Sequence, residues 1–330
     1  MKNLSSFALE NGGSLIPLLI DSTESARTGI CNPSIFYDSD SKRLIGNLRN
    51  VNYVLYHSER EHAHNFNGPL TYLHPENDNH LRTENFYVEF SDDLELESHA
   101  KIDFSVYDSQ YTQMWDFRGL EDARIFKWDD RLYVCGVRRD TTPNGVGRME
   151  LCEIIVNRLP DDSIECVEIE RTRIPSVDDD DAYCEKNWMP VLDMPYHFVK
   201  WSSPLEVVKY DPDTNTTETV KALMYPNEPT DMRGGSQVVR YGDYRVACVH
   251  VTYLMQNRLG QKDATYRHRF LVWDLDWNLV EVSDEFSFMD GRVEFCCGMA
   301  IVDDVMHLTF GFQDNAAFLL TLPIDKIVNI

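Results

Sequence analysis

Apolar and polar positions alternate in short runs along this chain. Five times an apolar run, a turn of a few residues containing Asp or Gly, and a second apolar run follow one another. The copies read SIFYDSDSKRLIG from Ser34, RIFKWDDRLYVCG from Arg124, PVLDMPYHFVKW from Pro190, QVVRYGDYRVAC from Gln237 and MAIVDDVMHLTFG from Met299. Alternation joined to this turn chemistry predicts a β-hairpin at each. Further strand-type runs are NVNYVLYHS near Asn50, ENFYVEF near Glu84, RMELCEIIV near Arg148, LEVVKY near Leu205 and YRHRFLVWDL near Tyr266, whereas helical periodicity is absent. DPDTNTTET from Asp211 reads as an outer hairpin turn, where Asp and Asn satisfy the backbone angles. Five hairpins spread over one chain predict an all-β, five-bladed propeller whose innermost strands converge on a central pocket.

The repeats are unevenly spaced and no low-complexity linker divides them, so residues 1–330 read as one propeller domain, with a loop-rich insertion at 57–117 between the first and second blades. In a propeller the chemistry belongs just before each first strand. Those positions hold Asn32-Pro33-Ser34, Glu121-Asp122-Ala123-Arg124, Glu185-Lys186-Asn187-Trp188, Arg233-Gly234-Gly235-Ser236 and Glu294-Phe295-Cys296-Cys297-Gly298. Charged residues abutting apolar strands point to a site.

Composition narrows the partners. A formal charge of −24 disfavours duplex DNA and acidic membrane surfaces. A neutral sugar fits, and so does a small anion held by a local cluster, because surface charge is screened beyond roughly 8 Å. The eight cysteines lack CxxC spacing and sit mostly in apolar runs, which reads as buried free thiols in a reducing compartment. The N-terminal MKNLSSFALENGG has no signal-peptide core and no run approaches a membrane span, so the expectation is a cytoplasmic protein. His57, His62, His64, His74 and His80 are irregularly spaced in Asn/Pro/Glu-rich sequence and read as a loop rimming the pocket, with no metal expected. The Asp178–Asp181 run reads as a solvated loop.

Three segments carry candidate chemistry. Arg118-Gly-Leu-Glu121-Asp122-Ala-Arg124 places two carboxylates and two guanidiniums ahead of an apolar strand. It reads either as a buried brace or as an acid tuned by burial and a neighbouring Arg. Glu185-Lys186-Asn187-Trp188 combines an acid, a cation, an amide and an indole that suit a pyranose, unless Trp188 is core. His250, within YRVACVHVTYL, is by itself a core histidine on a strand.

In this order the motifs resemble the five-bladed propellers of glycoside hydrolase family 130, the β-mannoside phosphorylases, and the related propeller mannosyltransferases, over Asn32 to Asp314. Asn32-Pro33 is similar to the family's Asn-Pro start, followed by Arg49 in LIGNLRN. Glu121-Asp122-Ala123-Arg124 resembles its Glu-Asp-Pro-Arg signature. Lys186-Asn187 through Pro190, the strand Val249-His250-Val251 and the closing Phe310-Gly311-Phe312-Gln313-Asp314 resemble its later motifs. The resemblance implies that Asp122 is the catalytic acid, donating toward the glycosidic oxygen directly or through a sugar hydroxyl. It implies further that a cluster drawn from Arg138, Arg139, Lys186 and His250 holds phosphate or the donor. The sugar contacts would come from Asn32, Arg49, Glu121, Arg124, Glu185, Asn187, Trp188 and Asp314.

Phosphate is already a good nucleophile, so a phosphorylase needs anion positioning where a hydrolase needs a second carboxylate. Related furanoside hydrolases begin with Asp-Pro; Asn32 in that place disfavours hydrolysis, although Glu185 or Glu294 offers another carboxylate. Ala123 in place of Pro, and the form Glu-Lys-Asn-Trp-Met-Pro in the third blade, depart from the family pattern. The expected function is inverting glycosyl transfer on a β-mannoside, as phosphorylase or glycosyltransferase. No cofactor is expected beyond inorganic phosphate or an activated sugar (sugar 1-phosphate or nucleotide sugar) as co-substrate, and the acceptor would be an oligosaccharide or glycoconjugate. A non-catalytic glycan-binding propeller and a furanoside or mannoside hydrolase are the alternatives.

Overall fold

A computed structural model describes residues 2–20, 29–57, 70–73, 80–112, 115–177, 183–226, 231–256 and 262–329. The strands fall into five antiparallel units in chain order. Blade 1 comprises Ile30–Asp38, Arg43–Val51, Leu81–Phe90 and Leu96–Asp103. Blade 2 comprises Glu121–Trp128, Arg131–Arg138, Arg148–Arg158 and Ile164–Arg173. Blade 3 comprises Met189–Pro190, His197–Ser202, Leu205–Asp211 and Thr216–Leu223. Blade 4 has an interrupted inner strand, Met232–Arg233 and Val239–Tyr241, followed by Tyr244–Gln256, Lys262–Asp274 and Leu279–Val282. Blade 5 comprises Glu294–Val302, Val305–Phe312 and Ala316–Pro323, and its outer strand is the N-terminal Ser14–Pro17. That borrowed strand ties the two ends of the chain into one blade.

Turn chemistry sets the hairpins. Asp129 and Asp130 have φ of 48° and 61°, and Asp303 and Asp304 have φ of 49° and 62°. Two-residue loops with both central residues left-handed match the twist of the flanking strands, and Asp tolerates the conformation. In blade 3 the pairing of the inner strand is only two residues long, and the turn from Val191 to Tyr196 is correspondingly wide.

Each blade packs its faces against the next, and the hydrophobic clusters record the ring. Ile45, Tyr87 and Ile102 of blade 1 meet Ile125, Val134 and Ile154 of blade 2. Phe126, Trp128 and Tyr133 meet Trp188, Phe198 and Val208. Val191, Val199 and Val207 meet Ala247, Val249 and Leu271. Val246, Cys248 and Phe270 meet Met299, Leu308 and Leu320. Ala300 and Leu319 of blade 5 return to Ile35, Leu48 and Phe86 of blade 1. Five interfaces in cyclic order close a five-bladed propeller.

The innermost strands are edges, whose backbone groups on the free side need partners. Gln237, fully buried, donates from Nε2 to Ile35 O (2.9 Å) and Ile125 O (2.8 Å), and its Oε1 accepts from Met299 N (3.0 Å). One blade 4 side chain thus joins the inner strands of blades 1, 2 and 5 at the axis.

Several sequence readings change in detail. Within 57–117, residues 81–103 are the two outer strands of blade 1, so the additional chain consists of the hairpin Val54–His57/Leu70–Leu73 and the segment after residue 103. NVNYVLYHS is divided between the second strand and that hairpin. A short helix, Leu4–Glu10, escapes the periodicity test because seven residues offer only one i, i+4 apolar pair, Leu4 and Ala8; Asn3 caps it, its Oδ1 accepting from Ser6 N at 2.9 Å. All eight cysteines are free, and all but Cys184 are buried. Most of the His-rich segment and Asp178–Asp181 lie outside the described residues. Among the described residues no helix is long and apolar enough to cross a membrane.

Candidate active site

Antiparallel pairing places the head of each inner strand beside the end of the second strand: Cys31 opposite Arg49, Glu121 opposite Val137, Arg233 opposite His250, and Glu294 opposite Phe312. The site is therefore assembled from these two kinds of position on one face of the ring. At three heads the backbone is left-handed: Asn32 has φ 44°, Asp122 φ 50° and Asn187 φ 61°. Register shifts at Cys31/Ser34 and Glu121/Arg124 mark bulges at the first two. Bulges re-aim side chains, and Asn and Asp bear this conformation better than other residues with a Cβ. Close approach sets the neighbours: a Cβ on Gly311 would lie 2.0 Å from Asn32 Oδ1, and one on Gly234 1.8 Å from Asn187 O.

The bulges bring Asp122 to the axis. Its Oδ1 accepts from Asn32 Nδ2 at 2.7 Å and from Arg49 Nη1 at 2.7 Å. Arg49, almost wholly buried, also donates to the Tyr53 hydroxyl (2.6 Å) and to Thr83 Oγ1 (3.2 Å), and lies 3.8 Å from Glu121 Oε2. Asp314, in the turn after Phe312 at φ 48°, is a third buried carboxyl whose charge this guanidinium offsets. Burial acts to raise the Asp122 carboxyl, but Arg49, the Asn32 amide, Arg124 and Lys186 together hold it below the ordinary value. Burial, opposed by Arg49 and reinforced by Asp122, leaves Glu121 and Asp314 above it. The cluster thus separates one ionised carboxylate from two that keep protons more readily, the pattern of acid/base sites.

The predicted cations divide. Lys186 is exposed and acts electrostatically on all three carboxyls and on His250. Arg139 is partly exposed, 3.9 Å from Glu121 Oε1 and over the Phe117 ring. Arg138, its neighbour and the last residue of the strand, is fully buried in an ion network with Asp108 (2.6 Å), Glu150 (3.2 Å) and Asp140 (3.7 Å), which leaves it away from the cluster at the axis. The strand ends at Arg138, and of the two arginines only Arg139, just beyond it, joins the carboxyl cluster. His250 is buried, with Nδ1 2.7 Å from Gly234 O. A carbonyl only accepts, so Nδ1 carries the proton. Burial drives the imidazole down to about 3, partly opposed by that bond and furthered by Lys186, Arg233 and Arg124. His250 therefore brings no positive charge at neutral pH.

Other candidates serve as braces. Arg124 is fully buried; Nε and Nη2 donate to Gly235 O (3.0 and 2.8 Å) and Nη1 to Asp122 O (2.6 Å), fixing the Asp122 backbone to blade 4. Trp188 is fully buried, packs on Phe198 and donates to Glu185 Oε2 at 3.0 Å, so it presents no face to a sugar. Glu185 also pairs with Lys200 at 3.1 Å. Glu294 accepts from the backbone of Phe288, Met289 and Gly291 (2.6–2.8 Å) and holds a loop. Neither glutamate is free to act as a second catalytic carboxylate. The second and third carboxyls at the axis are Asp314 and Glu121. Residues absent from the sequence reading are Tyr53, Thr83 and Tyr266, whose ring lies tilted against His250 with centroids 5.2 Å apart. Nothing local in the sequence marks them.

No protein-family profile matches the chain, and no curated protein matches by sequence. Solved structures do match in fold. A β-1,2-mannobiose phosphorylase from Listeria innocua, in complex with β-1,2-mannobiose, aligns with a TM-score of 0.55 at 12% identity over 96% of each chain. A mannose phosphorylase from Leishmania mexicana, in complex with phosphate ion, aligns with a TM-score of 0.51 at 13% identity over 99% of this chain and 93% of that one. A structure from work on family 130 hydrolases that target β-1,2 mannosidic linkages in Candida mannan aligns with a TM-score of 0.54 at 12% identity, covering 89% and 84%. The similarity to family 130 read from motif order thus extends to the fold of nearly the whole chain.

Proposed function

We propose that this protein is a glycoside-processing enzyme that cleaves or forms a β-mannoside with phosphate as the partner nucleophile. The observation that carries the reading is the clamp on Asp122, a carboxylate held left-handed at a bulge by Asn32 and Arg49, beside two further carboxyls at the axis of the ring. Fold likeness to two phosphorylases supports the substrate class.

In the proposed reaction phosphate, held by Lys186 and Arg139, attacks the anomeric carbon as the bond to the glycosidic oxygen breaks. The leaving oxygen takes its proton from the carboxyl cluster, with Asp122 as the residue that transfers it and Glu121 and Asp314, which burial makes hold protons more readily, beside it. The products are mannose 1-phosphate, with inversion, and the released sugar; synthesis is the reverse. Asp122 is ionised in the free site, so it gains its proton when substrate displaces water and the phosphate dianion arrives beside it, both of which favour the neutral form. A nucleotide-sugar donor finds no support in the matched structures.

Hydrolysis is the second reading. It is favoured by the two carboxyls beside Asp122, Glu121 and Asp314, because either one, in its ionised form, is a candidate to activate water. One assay separates the two. The protein is incubated with β-1,2-mannobiose with and without inorganic phosphate, and mannose 1-phosphate and free mannose are quantified. Phosphate-dependent mannose 1-phosphate is the expected result, and free mannose without phosphate uptake supports hydrolysis. Asp122→Asn should fold normally and lose about 10²-fold or more in turnover; full activity in that variant would remove Asp122 from the mechanism.

A further inference from the structure

Between the heads of blades 3 and 4 lies a cavity of about 250 Å³ whose wall includes Tyr183, Lys186, Asn187, Trp201, Arg233 and Gly234. Its size is below the range of roughly 300–1,000 Å³ typical of drug-sized ligands and suits a single sugar unit. Within a chain of net charge −24 its lining is locally cationic: Lys186, Lys200 and Arg233 against Glu185 alone. Lys200 and Glu185 neutralise each other at 3.1 Å. Among the described residues Arg233 is paired only with Asp231 (2.8 Å), an exposed carboxylate that an incoming anion can replace, and Lys186 has no ion pair.

A bare anion does not account for the rest of the wall. Asn187 is more than nine-tenths buried, held at φ 61°, and its Oδ1 has no hydrogen-bond partner. An orphan acceptor calls for a donor, which a sugar hydroxyl supplies and a phosphate dianion does not. Tyr183, with 44% of its surface exposed, and the partly exposed Trp201 offer aromatic faces for pyranose C–H groups. Trp188, the indole that the sequence suggested for this role, borders the same cavity but has no solvent exposure, its ring packed on Phe198.

We propose that this cavity is a second binding site, for a hexose that bears a phosphate ester or a carboxylate. The anionic group lies on Arg233, a hydroxyl donates to Asn187 Oδ1, the ring packs on Tyr183 and Trp201, and Lys186 forms the wall shared with the carboxyl centre. Its use as the acceptor site of the reaction rests on the phosphorylase reading; its existence as a binding site does not.

Calorimetric titration of the full chain with mannose, mannose 6-phosphate, glucuronate and inorganic phosphate tests it. At least one of the two anionic hexoses should bind about tenfold or more tightly than mannose and inorganic phosphate, and the arm that does so identifies the anionic group. Trp201→Ala should weaken that binding about tenfold while the melting temperature shows that the variant is folded. Tyr183→Ala, at an exposed side chain, provides the same test if the tryptophan variant fails to fold. Equal affinity for neutral and anionic hexoses, or undiminished binding in a folded variant, overturns the proposal. Loss of phosphorolysis with intact anionic-hexose binding would count against the catalytic reading alone.

Discussion

Replacing Gln237 with Leu probes the axis of the propeller directly. The substitution keeps most of the volume and removes both donor and acceptor. Two carbonyls, of Ile35 and Ile125, and one amide, of Met299, then lose their partner in a region where Gln237 itself has no solvent exposure. An unsatisfied buried backbone group costs about 1–3 kcal/mol, so three of them, partly relieved by relaxation, should cost about 3–6 kcal/mol. An unfolding entropy of about 2.1 cal/mol/K per residue gives about 0.7 kcal/mol/K for 330 residues, and the melting temperature should fall by about 4–9 °C. Guanidinium unfolding followed by tryptophan fluorescence, with calorimetry for the melting temperature, measures both. Gln237→Glu should be at least as damaging, because it removes the same two donors and buries a charge. A loss below about 1 kcal/mol in Gln237→Leu would refute the assignment of the three backbone groups to this side chain.

Two further outcomes follow from the site. His250 has a folded value of about 3, below its value of 6.5 in the unfolded chain, so the unfolded state binds the extra proton between these limits. Stability should be level above pH 6.5 and fall toward pH 3 by up to about 1.4 kcal/mol per pH unit from this group, and a stability–pH curve for His250→Gln should lack that component. Identical slopes in wild type and variant would show that His250 is not buried neutral. Trp188→Phe should cost about 1–3 kcal/mol through the lost bond to Glu185 and leave affinity for mannosides unchanged; a selective loss of sugar binding would return Trp188 to the site.

The sequence by itself determined the local structure. Hairpins are short-range consequences of alternation and of turn residues that accept positive φ, three of them with Asp-Asp or Gly-Asp turns, so all five were legible, and with them the blade count and the heads at which Asn32, Asp122 and Asn187 stand. Two things only the tertiary structure decided. The first is closure: Ser14–Pro17 completes blade 5, and Gln237 links three inner strands, contacts that no local pattern encodes. The second is the orientation of each charged residue. Arg138 and Arg139 are adjacent in sequence, yet one, at the strand end, enters a buried ion network and the other, just beyond it, reaches the carboxyl centre. Trp188 and Glu185 satisfy each other in the core, and His250 is neutral because burial outweighs its one hydrogen bond. A residue type announces what chemistry is available; whether it meets water, a counter-ion or the core depends on the neighbours that folding brings to it, as Asn32 and Arg49 of blade 1 are brought to Asp122 of blade 2.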